Sequence, residues 1–319
     1  MTLLLIVQEI KQQTPGIRSY VLVSESGGSL PEFTAGAHIK VSMSNGITRQ
    51  YSLVNGPEEK SSYTIAVLHD AQSLGGSSWM HGHLQEGDKL QVSEPVNQFE
   101  LSEEAKHHLL IAGGIGITPI LAMAKYLHSS NQSFRICYCT RSIESTAFYA
   151  DLLAGPFFEK IKFIHDQGDL NQRLDLSQLL VNQRASEHVY FCGPQGFIQA
   201  GRDATSHWID SCVHYELFSA ETNRKPNLQP DVQFRVQIDS TGEEYVIPVG
   251  SSVLEVLGDN GIGVDHLCKE GYCGSCLTGV LQGIPDHRDS VQTNSEKADN
   301  DFMTLCCSRS KTDLLVLDL

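Results

Sequence analysis

Short apolar runs separated by turn residues dominate the first hundred positions of the chain. Pairs such as Gly27-Gly28 and Asn45-Gly46 stand between the runs. The runs occupy residues 3–7, 19–23, 38–43, 50–54, 63–68 and 89–92. Short strands divided by such turn signals are typical of a small antiparallel barrel. The pattern therefore predicts an antiparallel β-barrel domain over residues 1–103.

The next region alternates apolar strand-like runs with segments of helix length. Its runs lie at residues 108–112, 134–139, 161–165, 188–192 and 213–218. This alternation favours a parallel sheet with helices on its faces. An α/β domain is therefore predicted over residues 104–222.

A polar stretch separates the α/β region from the last part of the chain. It contains Pro226 and Pro230 and shows no apolar periodicity. Such composition is typical of a flexible linker, which we set at residues 223–231. Residues 232–319 then form a third domain.

Four cysteines of the third domain have the ligand spacing of a plant-type 2Fe-2S ferredoxin, C-x4-C-x2-C followed after 29 residues by C. They are Cys268, Cys273, Cys276 and Cys306. Gly271, Gly274 and Ser275 allow a tight loop whose amide groups can point at the cluster sulfurs. Zinc sites usually use two C-x2-C pairs, and only one is present here. The spacing predicts a 2Fe-2S cluster and a role in electron transfer.

The net charge of the chain narrows the classes of partner that it can bind. The formal net charge is -15 at pH 7, which argues against nucleic acid as a partner. Residues 231–319 carry 15 acidic and 6 basic side chains, a net charge of -9. That acidity is either a solvated surface or a face that docks a more basic redox partner.

The start of the chain predicts neither secretion nor a membrane anchor. The apolar run at residues 3–7 lacks a basic flank and is too short to span a bilayer. Nine cysteines is an odd number, and free thiols fit a reducing compartment better than a disulfide framework. We therefore expect a cytoplasmic protein with no membrane partner.

Two features of the first domain together could hold one phosphate group. Arg49 opens the string Arg-Gln-Tyr-Ser-Leu, which alone could be a charged edge strand. Residues 75–78, Gly-Gly-Ser-Ser, precede a helical-looking segment at 79–83. Backbone amides at a helix start favour an anion. The alternative for residues 75–78 is an ordinary capped turn.

A glycine-rich turn opens the second domain. Residues 111–119 run from a strand through glycines into a helix beginning near Thr118, so a pyrophosphate can approach the backbone. Pro119 occupies the place of the third glycine of the usual fingerprint. A later string, residues 190–194, ends in Cys192-Gly193-Pro194. Cys192 could also be a plain buried thiol.

The order of these motifs resembles the phthalate dioxygenase reductase family, which includes vanillate demethylase and carnitine monooxygenase reductases. The R-x-Y-S string and the G-G-x-G-x-T-P turn followed by C-G-P are similar to those of ferredoxin-NADP reductases. The resemblance covers essentially the whole chain. It implies an FMN-binding β-barrel, a nicotinamide-binding α/β domain and a C-terminal α+β (β-grasp) plant-type ferredoxin. Family members use NADH to feed Rieske-type oxygenases.

The resemblance also implies which residues contact each cofactor. The expected FMN contacts are Arg49, Gln50, Tyr51, Ser52, Ala66, Gly75, Gly76, Ser77, Thr118 and Phe218. The expected NAD contacts are Gly114, Gly116, Arg141, Asp166, Cys192, Gly193 and Pro194. It favours Cys306 over its neighbour Cys307 as fourth cluster ligand. Since no basic cluster follows the second strand to receive a 2'-phosphate, NADH is expected over NADPH.

Flavin chemistry explains why three such modules share one chain. NADH delivers two electrons together, whereas an iron-sulfur cluster accepts one, so a flavin must store the pair. The relay needs no protein nucleophile or general base, and His107 and His108 are expected to be surface groups. Two alternatives stay open: a reductase for a cytochrome P450 or a diiron hydroxylase, and a redox-sensing module.

Overall fold

The computed structural model describes residues 2–70, 75–218, 231–266, 269, 271, 274–289, 291–292 and 294–319. The chain divides into two compact units, Met1–Glu216 and Leu217–Leu319. Within the described ranges, no helix has both the length and the apolar character needed to cross a membrane.

The first part of the first unit is an antiparallel six-stranded barrel. Its elements are β1 (Thr2–Thr14), β2 (Ile17–Ser24), β3 (His38–Ser42), β4 (Thr48–Ser52), β5 (Ser62–Leu68), α1 (Gly76–His83) and β6 (Lys89–Ser93). The strand order is β4-β3-β6-β1-β2-β5, and a bridge between Leu53 and Ile65 joins the two edges. Alternate side chains such as Leu5 and Val7 point into the apolar core, as a period of two requires.

The rest of the first unit is a parallel sheet flanked by helices. Its elements are β7 (His107–Gly113), α2 (Ile117–Ser129), β8 (Ser133–Thr140), α3 (Tyr149–Leu153), β9 (Ile161–His165), α4 (Leu176–Leu180), β10 (Glu187–Gly193), α5 (Gln195–Ala204) and β11 (Val213–Leu217). The strand order is β11-β10-β7-β8-β9. Every residue of β10 is buried, as expected for a central strand covered on both faces.

The second unit is a small α+β fold. Its elements are β12 (Phe234–Ile238), β13 (Glu244–Ile247), α6 (Val253–Asp259), β14 (Leu277–Gln282), β15 (Pro285–Asp286), α7 (Asn294–Asp299), β16 (Phe302–Thr304), β17 (Arg309–Ser310) and β18 (Leu314–Leu317). The main sheet has the order β13-β12-β18-β14-β16, with β12 and β18 parallel. Helix α6 starts at a capping box of Ser252 and Glu255 and packs Leu257 into the core.

The structure departs from the sequence predictions at three places. Helix α1 starts at Gly76 instead of after Ser78, because the Gly75 carbonyl already accepts the first helical hydrogen bond, from the Trp79 amide. The first strand continues to Thr14. The prediction that His108 is a surface group was wrong: it is 1% exposed, because neighbouring strands and Tyr190 cover it.

The predicted linker lies mostly outside the described residues. Only its last residue, Asp231, is described, and it pairs with Arg288 (Oδ1 to Nη1, 2.7 Å). A second cation, Arg309, lies 3.7 Å from the same carboxylate and donates to the Val232 carbonyl. Asp231 is therefore bound to the second unit by side-chain contacts.

Candidate functional site

Arg49 and the start of α1 meet at the barrel edge, as the sequence suggested. A Cβ atom at Gly76 would lie 2.8 Å from Arg49 Cγ, so only glycine lets the arginine pack against the helix start. Gly75 precedes it with a φ of 91°, a left-handed conformation that glycine adopts without strain. The guanidinium and the first turn of α1 are therefore neighbours, which suits an anionic group.

Gln50 and Tyr51 continue the same strand. The Nε2 atom of Gln50 is buried and has no hydrogen-bond partner among the described residues. A buried donor of this kind costs free energy unless a partner accepts from it. Tyr51 packs against the barrel core, and burial raises the pKa of its hydroxyl. An unsatisfied amide beside an aromatic ring fits a planar ligand with polar edges, such as a flavin.

Three polar side chains converge where β4, β10 and β11 end. Ser52 Oγ donates to Glu216 Oε2 at 3.3 Å, and Cys192 Sγ donates to the same oxygen at 4.0 Å. Burial raises the pKa of Glu216 to about 8, against the lowering effect of the Ser52 hydrogen bond. Burial likewise raises the pKa of the Cys192 thiol well above its usual value. The site therefore contains a carboxyl group that is mostly protonated at neutral pH.

Glu216 was not among the residues predicted from sequence. Nothing in the string His-Tyr-Glu-Leu-Phe at residues 214–218 distinguishes a buried glutamate from a surface one. The only available signal was its position near the end of the last parallel strand, since ligands bind beyond the carboxyl ends of such strands.

Glycines bring the predicted nicotinamide contacts together. A Cβ atom at Gly116 would collide with the Cys192 carbonyl, so the turn after β7 presses directly on the end of β10. Pro194 lies against Gly113, with 3.1 Å between its Cδ and a Cβ built there. Gly114 has a φ of 56°, and a Cβ atom built on it would have no described atom within 4 Å. The result is a packed corner with open space in front of Gly114.

Arg141 and Asp166 lie side by side at the same edge of the sheet. Arg141 follows β8 and is exposed, and Asp166 follows β9. The Asp166 amide donates to the Thr140 carbonyl at 3.1 Å. The Asp166 carboxylate accepts from Arg173 Nε at 3.3 Å. Arg173 was missed from sequence because it lies on a connecting segment 32 positions beyond Arg141.

The other predicted flavin contacts are mostly buried. Thr118 is 2% exposed and its hydroxyl donates to the Ile115 carbonyl. The Ser77 hydroxyl accepts from the Asp70 amide at 3.2 Å. Ala66 is buried within β5, and Phe218 directly follows β11 and is partly exposed. These positions add no unsatisfied polar atom to the candidate site.

Two of the four predicted cluster ligands can be located. Cys276 and Cys306 are buried in the core of the second unit, and the Leu305 amide donates to the Cys276 carbonyl at 3.2 Å. Cys268 and Cys273 lie outside the described residues, and within the described ones no three candidate ligands come together. The β14–β16 pairing thus brings the third and fourth predicted ligands close to each other.

Cys307 remains a neighbour of the predicted cluster loop. Its thiol lies 3.2 Å from the Thr304 hydroxyl, and a Cβ atom at Gly271 would collide with its sulfur. A hydrogen bond with Cys306 lowers the pKa of the Cys307 thiol. The preference for Cys306 over Cys307 is therefore still a prediction.

Comparison with known proteins places this arrangement in a family. Residues 236–311 match a model described as a 2Fe-2S iron-sulfur cluster binding domain, and residues 92–209 match the N-terminal domain of dimethylamine monooxygenase subunit DmmA-like proteins. Vanillate O-demethylase oxidoreductase from Pseudomonas sp. strain HR199 is 42% identical, over 98% of this chain and 99% of the relative. Phthalate dioxygenase reductase from Burkholderia cepacia is 41% identical, over 95% and 93%. The chain belongs to the phthalate dioxygenase reductase family.

Solved structures support the same assignment over the whole chain. A phthalate dioxygenase reductase structure, described as modular for electron transfer from pyridine nucleotides to 2Fe-2S, matches with a TM-score of 0.77 and 39% identity. That match covers 100% of this chain and 98% of the other. The predicted fold class is thereby confirmed.

Membership of this family makes the chain an oxidoreductase whose cofactors are FMN, NADH and a 2Fe-2S cluster. The cofactor predictions are therefore confirmed. The relatives named above are oxidoreductases and reductases, so the redox-sensing alternative has no support from them.

Proposed function

We propose that the chain is the NADH-dependent reductase component of a two-component Rieske-type oxygenase. The relatives include reductases named for vanillate demethylation, phthalate dioxygenation and, in Escherichia coli, carnitine monooxygenation. The observation that carries the proposal is the meeting of Ser52 from the flavin barrel with Cys192 and Glu216 from the nucleotide domain, on a chain that ends in a 2Fe-2S domain.

The proposed FMN site lies along β4. Arg49 and the first turn of α1, with Gly75, Gly76 and Ser77, bind the phosphate. The support is the contact between Arg49 and Gly76 and the favourable position of an anion at a helix N-terminus. Gln50, Tyr51 and Ser52 contact the ring, and Ala66, Thr118 and Phe218 complete the set. The unsatisfied Gln50 amide supports this orientation of the strand.

The proposed NADH site lies at the carboxyl edge of the parallel sheet. Gly114 and Gly116 leave room for the pyrophosphate, and Cys192, Gly193 and Pro194 border the nicotinamide. Arg141 and Asp166 contact the adenosine half. The open space before Gly114 and the close contact of Gly116 with Cys192 support this assignment. Asp166 favours a ribose hydroxyl, and hence NADH over NADPH.

FMN held along Arg49, Gln50, Tyr51 and Ser52 would supply the chemistry of taking up a hydride from NADH and releasing its electrons singly to the cluster. The residues of the chain position the reacting groups and control charge and protons. Glu216, with its raised pKa, holds a proton at neutral pH and so keeps a negative charge away from the site. Ser52 donates to that carboxyl group and keeps its orientation. The close contact of Gly116 with Cys192 fixes the position of the Cys192 corner.

Cys268, Cys273, Cys276 and Cys306 are the proposed cluster ligands. The burial of Cys276 and Cys306 next to each other supports two of the four. The acidic third domain is proposed to dock the oxygenase through a more basic surface of the partner. We also propose a cytoplasmic location, where the seven thiols of the described residues stay reduced.

A cytochrome P450 is the second candidate acceptor. An intact type IV self-sufficient cytochrome P450 monooxygenase matches 100% of this chain with a TM-score of 0.80 at 36% identity, and full-length CYP116B46 from Tepidiphilus thermophilus matches 100% with 0.83 at 33%. The chain covers 41% and 42% of those two proteins. In such proteins the reductase and P450 share one polypeptide, which makes a P450 partner chemically compatible with the same reductase fold.

An anaerobic NADH titration of the purified protein tests the proposed relay. We expect the flavin and iron-sulfur absorbance to bleach together at about three electrons per chain, because a flavin stores two and the cluster one. Released flavin should be FMN. Bleaching by dithionite without bleaching by NADH would contradict the nicotinamide assignment. The two candidate acceptors are distinguished by two assays of the NADH-reduced protein. One measures oxygen consumption with a Rieske oxygenase, and the other measures turnover with a P450.

A further inference from the structure

Exposed apolar side chains lie on the outer face of the β14–β16 ladder. In this ladder Leu277 is opposite Thr304, and Gly279 is opposite Phe302. Directly opposed residues point to the same face of a sheet, as do residues two apart on one strand. Leu277 and Phe302 therefore share a face, where they are 40% and 50% exposed. Leu281, next to a bulge further along β14, is 56% exposed.

The position of these side chains is unusual for a packed sheet. β16 is an edge strand of the main sheet, and Phe302 begins it. Gly279 offers no side chain to cover the ring of Phe302. Isolated exposed leucines are common on protein surfaces, but a group of apolar side chains that includes an aromatic ring marks a site of interaction.

Three carboxylates border this apolar group. Asp301 immediately precedes Phe302, Asp299 lies three positions before it, and both are exposed. Asp318 lies over Gly279, since a Cβ built there would come 3.0 Å from Asp318 Cβ. None of the three has an ion-pair partner within the described part of the chain.

Two carboxylates of the barrel differ from these three. Glu25 pairs with Lys89 at 2.8 Å, and Glu32 pairs with Lys60 at 2.5 Å. Because the three aspartates are exposed and pair with no cation among the described residues, their charge projects into solvent, where it can attract a basic surface. We name Leu277, Leu281, Phe302, Asp299, Asp301 and Asp318 the β14–β16 patch.

The patch adjoins the proposed cluster ligands along both of its strands. Leu277 directly follows Cys276, and β16 ends at Thr304, two residues before Cys306. Electron transfer between proteins requires a close approach to the donor. A surface beside two ligands therefore offers a short path out of the protein.

We propose that the β14–β16 patch is the docking surface for the electron-accepting protein. The partner presents an apolar centre to Phe302 and Leu277, and a rim of lysine or arginine to the three aspartates. Charge complementarity and the small size of the patch suit a transient electron-transfer complex, whose interfaces are at the low end of the size range. This inference deepens the proposed function and rests on it.

Truncation of Phe302 tests the apolar centre. We use cytochrome c as a basic one-electron acceptor protein and ferricyanide as a small acceptor. Phe302→Ala is expected to lower kcat/KM for cytochrome c about tenfold, as removal of an aromatic anchor does at interfaces. Ferricyanide turnover and the anaerobic reduction of the cluster by NADH should not change. Phe302→Tyr should retain the wild-type rate, and Val249→Ala, at a 62% exposed position of the same unit, is the control.

Neutralisation of the rim tests the charge complementarity. The triple variant Asp299→Asn, Asp301→Asn and Asp318→Asn should lower kcat/KM for cytochrome c at low salt and flatten its dependence on ionic strength. Asp259→Asn is the matched control and should leave both unchanged, because Asp259 is an exposed carboxylate of α6, which packs against β13 at the opposite edge of the sheet.

The outcomes separate the two proposals. Wild-type rates in both patch variants overturn the docking inference while the proposed function stands. Slower reduction of the cluster by NADH in Phe302→Ala also overturns it, because the residue would then serve transfer within the chain. Failure of the wild-type protein to pass electrons from NADH to any one-electron acceptor overturns the proposed function itself.

Discussion

The candidate site of the first unit is built around buried side chains, and the proposed cluster ligands of the second lie beside an exposed surface. Ser52, Cys192 and Glu216 meet at the ends of their strands, where Ser52 and Cys192 are buried. In the second unit, by contrast, the buried Cys276 is followed by the exposed Leu277. Hydride transfer requires direct contact between reactants in a site without water, whereas a single electron must leave through a surface that a partner can reach.

The two units also differ in how their sites are built. The first site is assembled from strand ends and glycine turns on a large, rigid framework. Three of the proposed ligands of the second lie within residues 268–276 of the sequence, and the last, Cys306, lies in the turn that follows β16. A single substitution can therefore impair one site and leave the other intact.

The largest effect is expected in the second unit from Cys276→Ser. Loss of a thiolate ligand should abolish the cluster and with it the reduction of cytochrome c. NADH turnover with ferricyanide should persist, because all of the proposed flavin and nicotinamide residues except Phe218 lie in the first unit. Cys307→Ser is the matched control and should keep the cluster spectrum. Normal cytochrome c reduction in Cys276→Ser would show that the ligand assignment is wrong.

The next effect is expected in the first unit from Arg49→Ala. Loss of a charge-assisted hydrogen bond to the phosphate should cost about 2 kcal/mol, or roughly a 30-fold weaker FMN affinity. The affinity can be measured by fluorescence of released flavin, with the cluster absorbance intact. Lys89→Ala, a barrel cation paired with Glu25, is the control. Equal FMN affinities for both variants would remove Arg49 from the phosphate site.

Glu216→Gln tests whether the charge of residue 216 affects the rate of flavin reduction. With a pKa of about 8, Glu216 is neutral below that pH and becomes a carboxylate above it. A carboxylate opposes the arrival of negative charge with the hydride, so wild-type flavin reduction should slow about tenfold from pH 7 to pH 9. Glutamine stays neutral, and the variant should lose that decline. Stopped-flow reduction by saturating NADH measures both, and identical pH profiles would contradict the role.

The smallest effect concerns acid stability of the first unit. His188 Nδ1 lies 2.9 Å from His214 Nε2, and His214 stacks on Tyr190 at 4.4 Å. Burial, with the nearby His188 and His108, lowers the pKa of His214 to about 4. Between about pH 6.5 and pH 4, His214 is protonated in the unfolded chain but not in the folded chain. The free energy of unfolding therefore falls as the pH drops from 6.5 towards 4.

His214→Phe keeps a ring in this stack and removes the titrating group. The variant should show a weaker loss of stability between pH 6.5 and pH 4, followed in urea by tryptophan fluorescence. Trp79 and Trp208 are the only tryptophans of the chain, and both belong to the first unit. The same acid dependence in variant and wild type would show that other groups control it.

Most strands could be predicted from sequence because apolar and polar residues alternate along a strand when one of its faces is buried. The runs at 161–165 and 63–68 match β9 and β5 to within one residue. Helix α1 began earlier than expected because a glycine can be the N-cap as well as a breaker. His108 was misjudged because a polar residue at a strand start is buried only if other strands cover it.

The cluster type and the order of the three modules were determined by the sequence alone. The spacing of the predicted ligands can be read directly from the sequence. The motifs at Arg49 and Gly114 likewise consist of residues that are adjacent in the sequence. Only the tertiary structure decided that Glu216 meets Ser52, 164 positions away, in surroundings that raise the pKa of its carboxyl group. It also decided that Phe302 is exposed, because burial depends on which elements pack over a residue and not on the residue itself.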